Sequence, residues 1–273
     1  MSQYLSTNVN KVTTHLLRKM RKEGEKIAML TAYDYSTAKL LDQAKIDVIL
    51  VGDSAANVMA GYKTTLPITL NEMIYHASSV VRAVERALVV VDLPFGTYQG
   101  NSKEALASAI RIMKESGADA VKLEGGIEIS ESIDRILSAG IPIMGHLGLM
   151  PQSINKYGTY TVRGTSEKEA EKIIKDAKIL EDHGCFGIVL EKIPADLAKE
   201  VTDSISIPTI GIGAGPHTSG QVLVFHDMMG YSLQFSPRFL RRYHNFSKEI
   251  VESVENYIHD VKTSDFPNKN EQY

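Results

Sequence analysis

The chain has 273 residues, 43% hydrophobic and 23% charged, a composition that supports a sizeable buried core and excludes disorder as a whole. Thirty basic against thirty-three acidic residues leave a formal charge of −3, so the basic surplus of a nucleic-acid binder is missing and a small-molecule partner is expected. Cys185 is the single cysteine and cannot close an internal disulfide; Met1 to Asn10 lack the apolar centre of a signal peptide; and no apolar run approaches the ~20 residues of a membrane span, so a reducing, cytoplasmic setting is the expectation.

In chain order, 13–21 predicts a helix that caps one end of the fold. Short continuous apolar runs, the mark of strands buried on both faces, predict strands at 27–33, 48–52, 88–92, 120–124, 142–146, 187–191 and 208–212. An eighth lies either at 222–225 or at 231–235. Between strands, Thr69 with Glu72 and Ser166 with Glu169 have the spacing of capping boxes that open helices. Gly117, Gly140 and Gly184 follow helical patterns as C-terminal caps, and Pro194 introduces a further helix at 195–202. The segment TSDFPNKNEQY at the end reads as a polar tail.

The repeating unit of strand, polar loop, helix, glycine and strand belongs to a parallel sheet with crossover helices. Eight units in about 250 residues suit a closed barrel, with an open doubly wound sheet as the alternative. In both folds the strand C-termini share one rim where ligands bind. Asp53, Asp92, Lys122, Glu124 and Glu191 all end apolar runs, so they are expected to meet there, as is His146 at the end of the fifth. Two long loops, DSAANVMAGYKTTLPIT and HLGLMPQSINKYGTYTVRGT, leave the same rim and have the length of functional lids.

Asp53, Asp92 and Glu124 are hard oxygen donors without His or Cys beside them, which suits Mg²⁺ rather than zinc; the bland reading is a set of rim acids paired with cations. Lys122 faces the same way as Glu124, and either pairs with a rim acid or neutralises a substrate carboxylate or enolate. GIGAGP fails as a dinucleotide fingerprint because Pro216 stands where the third glycine belongs. Gly52-Asp53-Ser54-Ala55-Ala56 is a near miss for the nucleophile elbow of a serine hydrolase, lacking the last glycine. Cys185 opens a buried run and reads as a small hydrophobic filler.

The blocks TAYDYSTAKL, VGDSAANVMAGYKTTLPITLNEMIYHA, VVVDLPFGTYQ, VKLEGG, GHLGLMPQS, VLEKIP and IPTIGIGAG together resemble the ketopantoate hydroxymethyltransferase family, in order and spacing, from about Thr13 onward. The resemblance implies a (β/α)₈ TIM barrel of the phosphoenolpyruvate/pyruvate superfamily type, a single domain over 1–273 with a 1–25 N-terminal segment and capping helix and a 263–273 tail. It also implies Mg²⁺, a homo-oligomer that is usually a decamer, and 5,10-methylenetetrahydrofolate as co-substrate. The activity implied is hydroxymethyl transfer to 3-methyl-2-oxobutanoate, giving 2-dehydropantoate for pantothenate and coenzyme A biosynthesis. The family's metal-binding acids fall on Asp53 and Asp92, with Glu124 in the metal's surroundings. Substrate contacts fall on Ser54 and Lys122 as well as Asp53 and Asp92, with His146 a further candidate, and the proton acceptor on Glu191. A lyase of the same superfamily is the rival activity, and such lyases usually carry a reactive loop cysteine. Two departures stand out: Ser219-Gly220-Gln221, where the family usually has an acid before Gly-Gln, bearing on a local hydrogen bond or on the folate end of the site; and AANVMAG in place of the commoner Leu-Gly-Met form, read as a lid variant.

Overall fold

The computed structural model describes residues 10–232 and 235–273, which fall into two compact units, Met1–Leu223 and Val224–Tyr273. The signal-peptide reading concerns Met1 to Asn10, of which 1–9 lie outside the described residues.

In the first unit the elements run α1 (Thr14–Glu23), β1 (Ile27–Thr31), α2 (Tyr35–Gln43), β2 (Val48–Val51), α3 (Ala55–Val58), α4 (Leu70–Val81), β3 (Leu88–Asp92), α5 (Ser102–Ser116), β4 (Ala120–Glu124) and α6 (Ser130–Ser138). They continue with β5 (Ile143–Gly148), α7 (Ile154–Tyr157), α8 (Glu167–His183), β6 (Gly187–Glu191), α9 (Ala195–Ser204), β7 (Thr209–Ile212) and β8 (Gly220–Leu223). All eight strands pair in parallel, each with its successor, and β8 returns to β1, closing the barrel. The open sheet is thereby excluded. Strand eight begins two residues earlier than the nearer expectation, 222–225, whereas 231–235 includes residues outside those described. The fifth strand runs two residues past His146, to Gly148.

Local chemistry explains the helix ends. Thr69 accepts from the Glu72 N–H and the Glu72 carboxylate accepts from the Thr69 N–H at 2.7 Å, the full capping box. Only half of the second box forms: Ser166 accepts from the Glu169 N–H, but the Glu169 carboxylate turns to the Gly164 N–H at 2.7 Å and pairs with Arg163. An adjacent guanidinium and a free loop amide outcompete the reciprocal bond. Gly117 and Gly184 end α5 and α8 in the left-handed conformation, and Pro194 immediately precedes α9.

Helix α1 closes the N-terminal mouth. Thr13 caps it, and its Leu17 and Met20 are buried in one cluster with Met29, Val48, Leu50, Val90, Ala120, Met144, Val189, Ile210 and Val222. Each such aliphatic side chain, fully buried, contributes about 1.5–3 kcal/mol of transfer free energy. Arg21 on this helix donates to the carbonyls of Thr202 and Ser206 and to Ser219 Oγ at 2.8 Å. Ser219 directly precedes β8, and its carbonyl accepts from the Ile27 N–H at 3.0 Å, so the departure at this position belongs to the capped end and to the Arg21 hydrogen bond, not to the rim.

In the second unit, α10 (Phe225–Met228) and α11 (Phe246–Thr263) are accompanied by an aromatic group in which Tyr231 meets Phe246 edge to face at 5.4 Å. Asn245 caps α11 by accepting from the Lys248 N–H, and Ser264 ends it in the left-handed conformation.

Candidate active site

Side chains that point into the barrel recur every second residue, so Val90 is followed upward by Asp92, Ala120 by Lys122 and Glu124, Met144 by His146, and Val189 by Glu191. The register sets Asp92 beside Lys122 and Glu124 beside His146 on adjacent strands. The apolar layers of the barrel thus give way, one step above, to a layer of ionisable groups. Asp53 and Ser54 follow β2, where the Asp53 N–H donates to Asp92 Oδ2 at 3.0 Å.

The expected residues form one connected set. Lys122 Nζ lies 2.9 Å from Asp92 Oδ1 as an ion pair, and 3.3 Å from His146 Nδ1. His146 Nδ1 lies 3.5 Å from Glu124 Oε1, and its Nε2 is 3.4 Å from Glu191 Oε2. Ser54 Oγ shares a hydrogen bond of 2.8 Å with the Tyr33 hydroxyl. An ammonium only donates, so Nδ1 of His146 accepts from it and the ring proton sits on Nε2, toward Glu191.

Burial governs the charges. Asp53 is pushed up to about 7 by burial and then by the charge of Asp92, against the opposing pull of Lys122 and the hydrogen bonds of Gln152 and Thr65. Glu124 is raised well above the carboxylate range by burial and by Asp53. Burial lowers Lys122, but Asp92, Glu124 and Asp53 together outweigh it and hold the ammonium charged. Burial and the Lys122 charge lower His146, which stays neutral. Glu191 differs from Asp92 in exposure: its side chain is 19% exposed, against 3% for Asp92.

The donor set fits a hard divalent cation. Among the described residues no three His, Cys, Asp or Glu form a ready cage, but Mg²⁺ takes one or two carboxylates and completes its shell with water and substrate. Asp53 and Asp92 offer oxygens only, and Asp92 Oδ1 is buried without a well-directed hydrogen bond. A second positive charge beside Lys122 would relieve the repulsion between Asp53 and Asp92.

Three further residues belong to the site and carried no expected role. Tyr33 and Tyr98 sit just past β1 and β3, and Gln152 lies in the loop after β5; all three are buried. The Tyr98 hydroxyl donates to Gln152 Oε1 at 2.7 Å and accepts from the Glu124 N–H at 3.0 Å. The blocks TAYDY, GTYQ and MPQS contain them, yet a neutral side chain in a loop gives no charge pattern to read. Gly148 makes the turn toward Gln152: its φ is 95°, and a Cβ there would lie 2.3 Å from the Glu191 carbonyl oxygen. Both long loops carry structure, the first as α3 and the second as a 3₁₀ turn at Pro151–Ser153 followed by α7. Cys185 is buried and its thiol pushed up to about 12 by that burial, which fits a filler and removes it as a loop nucleophile.

Known proteins place this geometry in context. The family model for ketopantoate hydroxymethyltransferase matches residues 11–269. The 3-methyl-2-oxobutanoate hydroxymethyltransferase of Cytophaga hutchinsonii is 69% identical over 267 residues, covering 98% of each chain, and that of Porphyromonas gingivalis is 68% identical over 273 residues, covering 100% of each. Among solved structures, phosphonopyruvate hydrolase in complex with oxalate and Mg²⁺ superposes with a TM-score of 0.61 at 12% identity, over 94% of this chain and 92% of that one. 2,3-Dimethylmalate lyase, a member of the PEP mutase/isocitrate lyase superfamily, does so with a TM-score of 0.59 at 14% identity, over 95% of this chain and 91% of that one. These two share the barrel fold. Matched along nearly its whole length, the chain belongs to the ketopantoate hydroxymethyltransferase family.

Proposed function

We propose that this enzyme transfers the one-carbon unit of 5,10-methylenetetrahydrofolate to C3 of 3-methyl-2-oxobutanoate as a hydroxymethyl group, with one water consumed and tetrahydrofolate released, giving 2-dehydropantoate for pantothenate and coenzyme A biosynthesis. The names of the relatives support the activity, and the convergence of Asp53, Asp92, Lys122, His146 and Glu191 at one rim is the observation that carries the mechanism. Asp53 and Asp92 would hold Mg²⁺, with Glu124 in its surroundings. When bound, the ion orients an α-keto acid and polarises its ketone.

Glu191 takes the C3 proton. It is the acid open to the pocket, its side chain 19% exposed, while Asp53, Asp92 and Glu124 are committed to one another and to Lys122. Removing that proton sends negative charge to the keto oxygen, where the Lys122 ammonium is a preorganised counter-charge. Neutral His146 sits between the two, accepting from Lys122 and presenting its Nε2 proton toward Glu191. Ser54, held by Tyr33, contacts the substrate. The loops carrying α3 and α7 exclude water while the new carbon–carbon bond forms.

The protein acts on small molecules, as a homo-oligomer that we read as a decamer, in the cytoplasm. Exposed Leu40, Tyr75 and Ile110 on the outer helices α2, α4 and α5 support association. No helix among the described residues is long and apolar enough to cross a membrane.

Exchange in D₂O tests the base without folate. With Mg²⁺, the wild-type protein is expected to exchange the C3 proton of 3-methyl-2-oxobutanoate, collapsing the methyl doublet in the proton spectrum. Glu191→Gln keeps the shape and cannot accept the proton, so exchange falls by about 10² to 10⁴ while keto-acid binding persists. A loss below roughly tenfold would move the role of base to His146 or to water.

A further inference from the structure

Gln152 sits where four strand ends meet and ties three of them together with one side chain and one backbone amide. Its Nε2 donates to Asp53 Oδ2 at 2.9 Å and to the Leu93 carbonyl at 3.0 Å. Its Oε1 accepts from the Tyr98 hydroxyl at 2.7 Å and from Gln99 Nε2 at 2.9 Å. Its own backbone N–H donates to Glu124 Oε2 at 3.0 Å. Asp53 follows β2, Leu93 follows β3 and Glu124 ends β4, while Gln152 itself comes from the loop after β5.

The amide has one orientation only. Asp53 Oδ2 and the Leu93 carbonyl both accept, so the NH₂ end must face them, and the two donors, Tyr98 and Gln99, fix the oxygen end. The residue is 5% exposed, so a flip would leave several buried polar groups without partners at once. This matters for Asp53, whose carboxylate is otherwise disfavoured by burial and by Asp92: the Gln152 amide is one of the groups that favour its charged form.

We propose that Gln152 is the positioning residue of the cation site. By occupying Oδ2 of Asp53 it fixes the plane of that carboxylate and leaves the other oxygen for the ion. At Asp92 the Asp53 N–H likewise occupies Oδ2, while Oδ1 faces the Lys122 ammonium at 2.9 Å. Each acid therefore has one oxygen held by a protein N–H, which fixes the plane of both carboxylates. The inference rests on the Mg²⁺ reading above and deepens it, because the loop after β5 becomes part of the cation site and not only a cover over it.

The test is calorimetric titration of Mg²⁺ into the full-length protein with 3-methyl-2-oxobutanoate present, for wild type, Gln152→Met and Tyr98→Phe. Gln152→Met keeps the volume and removes the amide, and it is expected to weaken Mg²⁺ roughly 10- to 100-fold, the usual effect of removing a partner that orients a metal ligand. Tyr98→Phe frees the oxygen end and is expected to weaken it by a smaller factor, at least roughly threefold. A positioning role also predicts that proton exchange in Gln152→Met needs more Mg²⁺ for half-saturation yet recovers at saturating Mg²⁺, which a general loss of structure would not do. Mg²⁺ affinity within twofold of wild type in folded Gln152→Met overturns the proposal; should that variant not fold, unchanged affinity in Tyr98→Phe overturns it. If the wild type itself binds no Mg²⁺, the metal reading fails and the proposal with it.

Discussion

Replacing Asp53 by asparagine turns the electrostatics of the rim into a measurable slope. In buffer containing EDTA, the folded protein keeps a proton near Asp53 up to about 7, whereas the unfolded chain releases it near 3.8. Because the folded-state value is the higher one, the stability linked to this group is complete below about pH 3.8 and is lost as pH rises through about 7. Within that window the folded state holds one more proton, so unfolding free energy falls by about 1.4 kcal/mol per pH unit, and by about 4 kcal/mol across the whole window. Asp53→Asn has no proton to lose. Its stability relative to wild type is therefore expected to rise with pH by that slope, leaving it the more stable protein at pH 8. For an enzyme of this size the difference in Tm amounts to about 3–6 °C per pH unit. Scanning calorimetry at pH 5, 6, 7 and 8 reads it directly. The slope from Glu124 has the same sign, and because the Asp53 charge is one of its causes, Asp53→Asn reduces it and so widens the difference between the two proteins. Parallel pH profiles for wild type and Asp53→Asn would refute the account of a buried, repelled carboxylate. Adding Mg²⁺ and the keto acid to the wild type is expected to flatten the slope, because a bound cation replaces the proton.

Asp92→Asn is expected to abolish measurable Mg²⁺ binding in the presence of keto acid while the barrel stays folded, checked by calorimetric titration alongside circular dichroism; retained binding would remove Asp92 from the cation site. Gly148→Ala places a methyl 2.3 Å from the Glu191 carbonyl at a φ of 95°, so it is expected to cost several kcal/mol or to displace Glu191, seen as a lower Tm together with slower proton exchange. Ser219→Asp puts a carboxylate against the partly buried Arg21 guanidinium and is expected to raise stability by roughly 1 kcal/mol in urea denaturation, with unchanged exchange kinetics because the position lies at the capped end. Light scattering at micromolar protein is expected to give a defined mass several times the 30.1 kDa of one chain.

Much of this site was readable because a strand buried on both faces has little reason to end in a charge. Asp92, Glu124 and Glu191 each close an apolar run, and the two-residue period then assigns Lys122, Glu124 and His146 to the same interior. What stayed hidden depends on partners distant in sequence. Gln152 is neutral, sits in a loop and acquires its role only when β2, β3 and β4 end around it. Glu191 ends an apolar strand, yet its side chain stays 19% exposed, so the period gave its direction and not its burial. The eighth strand was ambiguous because GQVL has few apolar residues, and Gln221 points to solvent. The half-formed cap at Ser166 shows the same limit, since Arg163 and the Gly164 amide draw Glu169 away.

The ring of strands is joined by neighbours in sequence everywhere except between β1 and β8, whose pairing waits until nearly the whole of the first unit has been synthesised. Loop-closure entropy makes that seam the slowest contact to form. On its other flank β8 is held to β7 by a register of only two residue pairs. At the seam itself Gly220 comes so close to β1 that a Cβ would lie 2.3 Å from the Ile27 carbonyl oxygen, leaving no room for a side chain. A nascent or truncated chain ending after β7 therefore exposes two unpaired edges, at Ile27–Thr31 and at Thr209–Ile212, each a template for pairing with another copy. Helix α1 buries Leu17 and Met20 in one cluster with Met29 of β1 and Val222 of β8, so it packs across both sides of the seam.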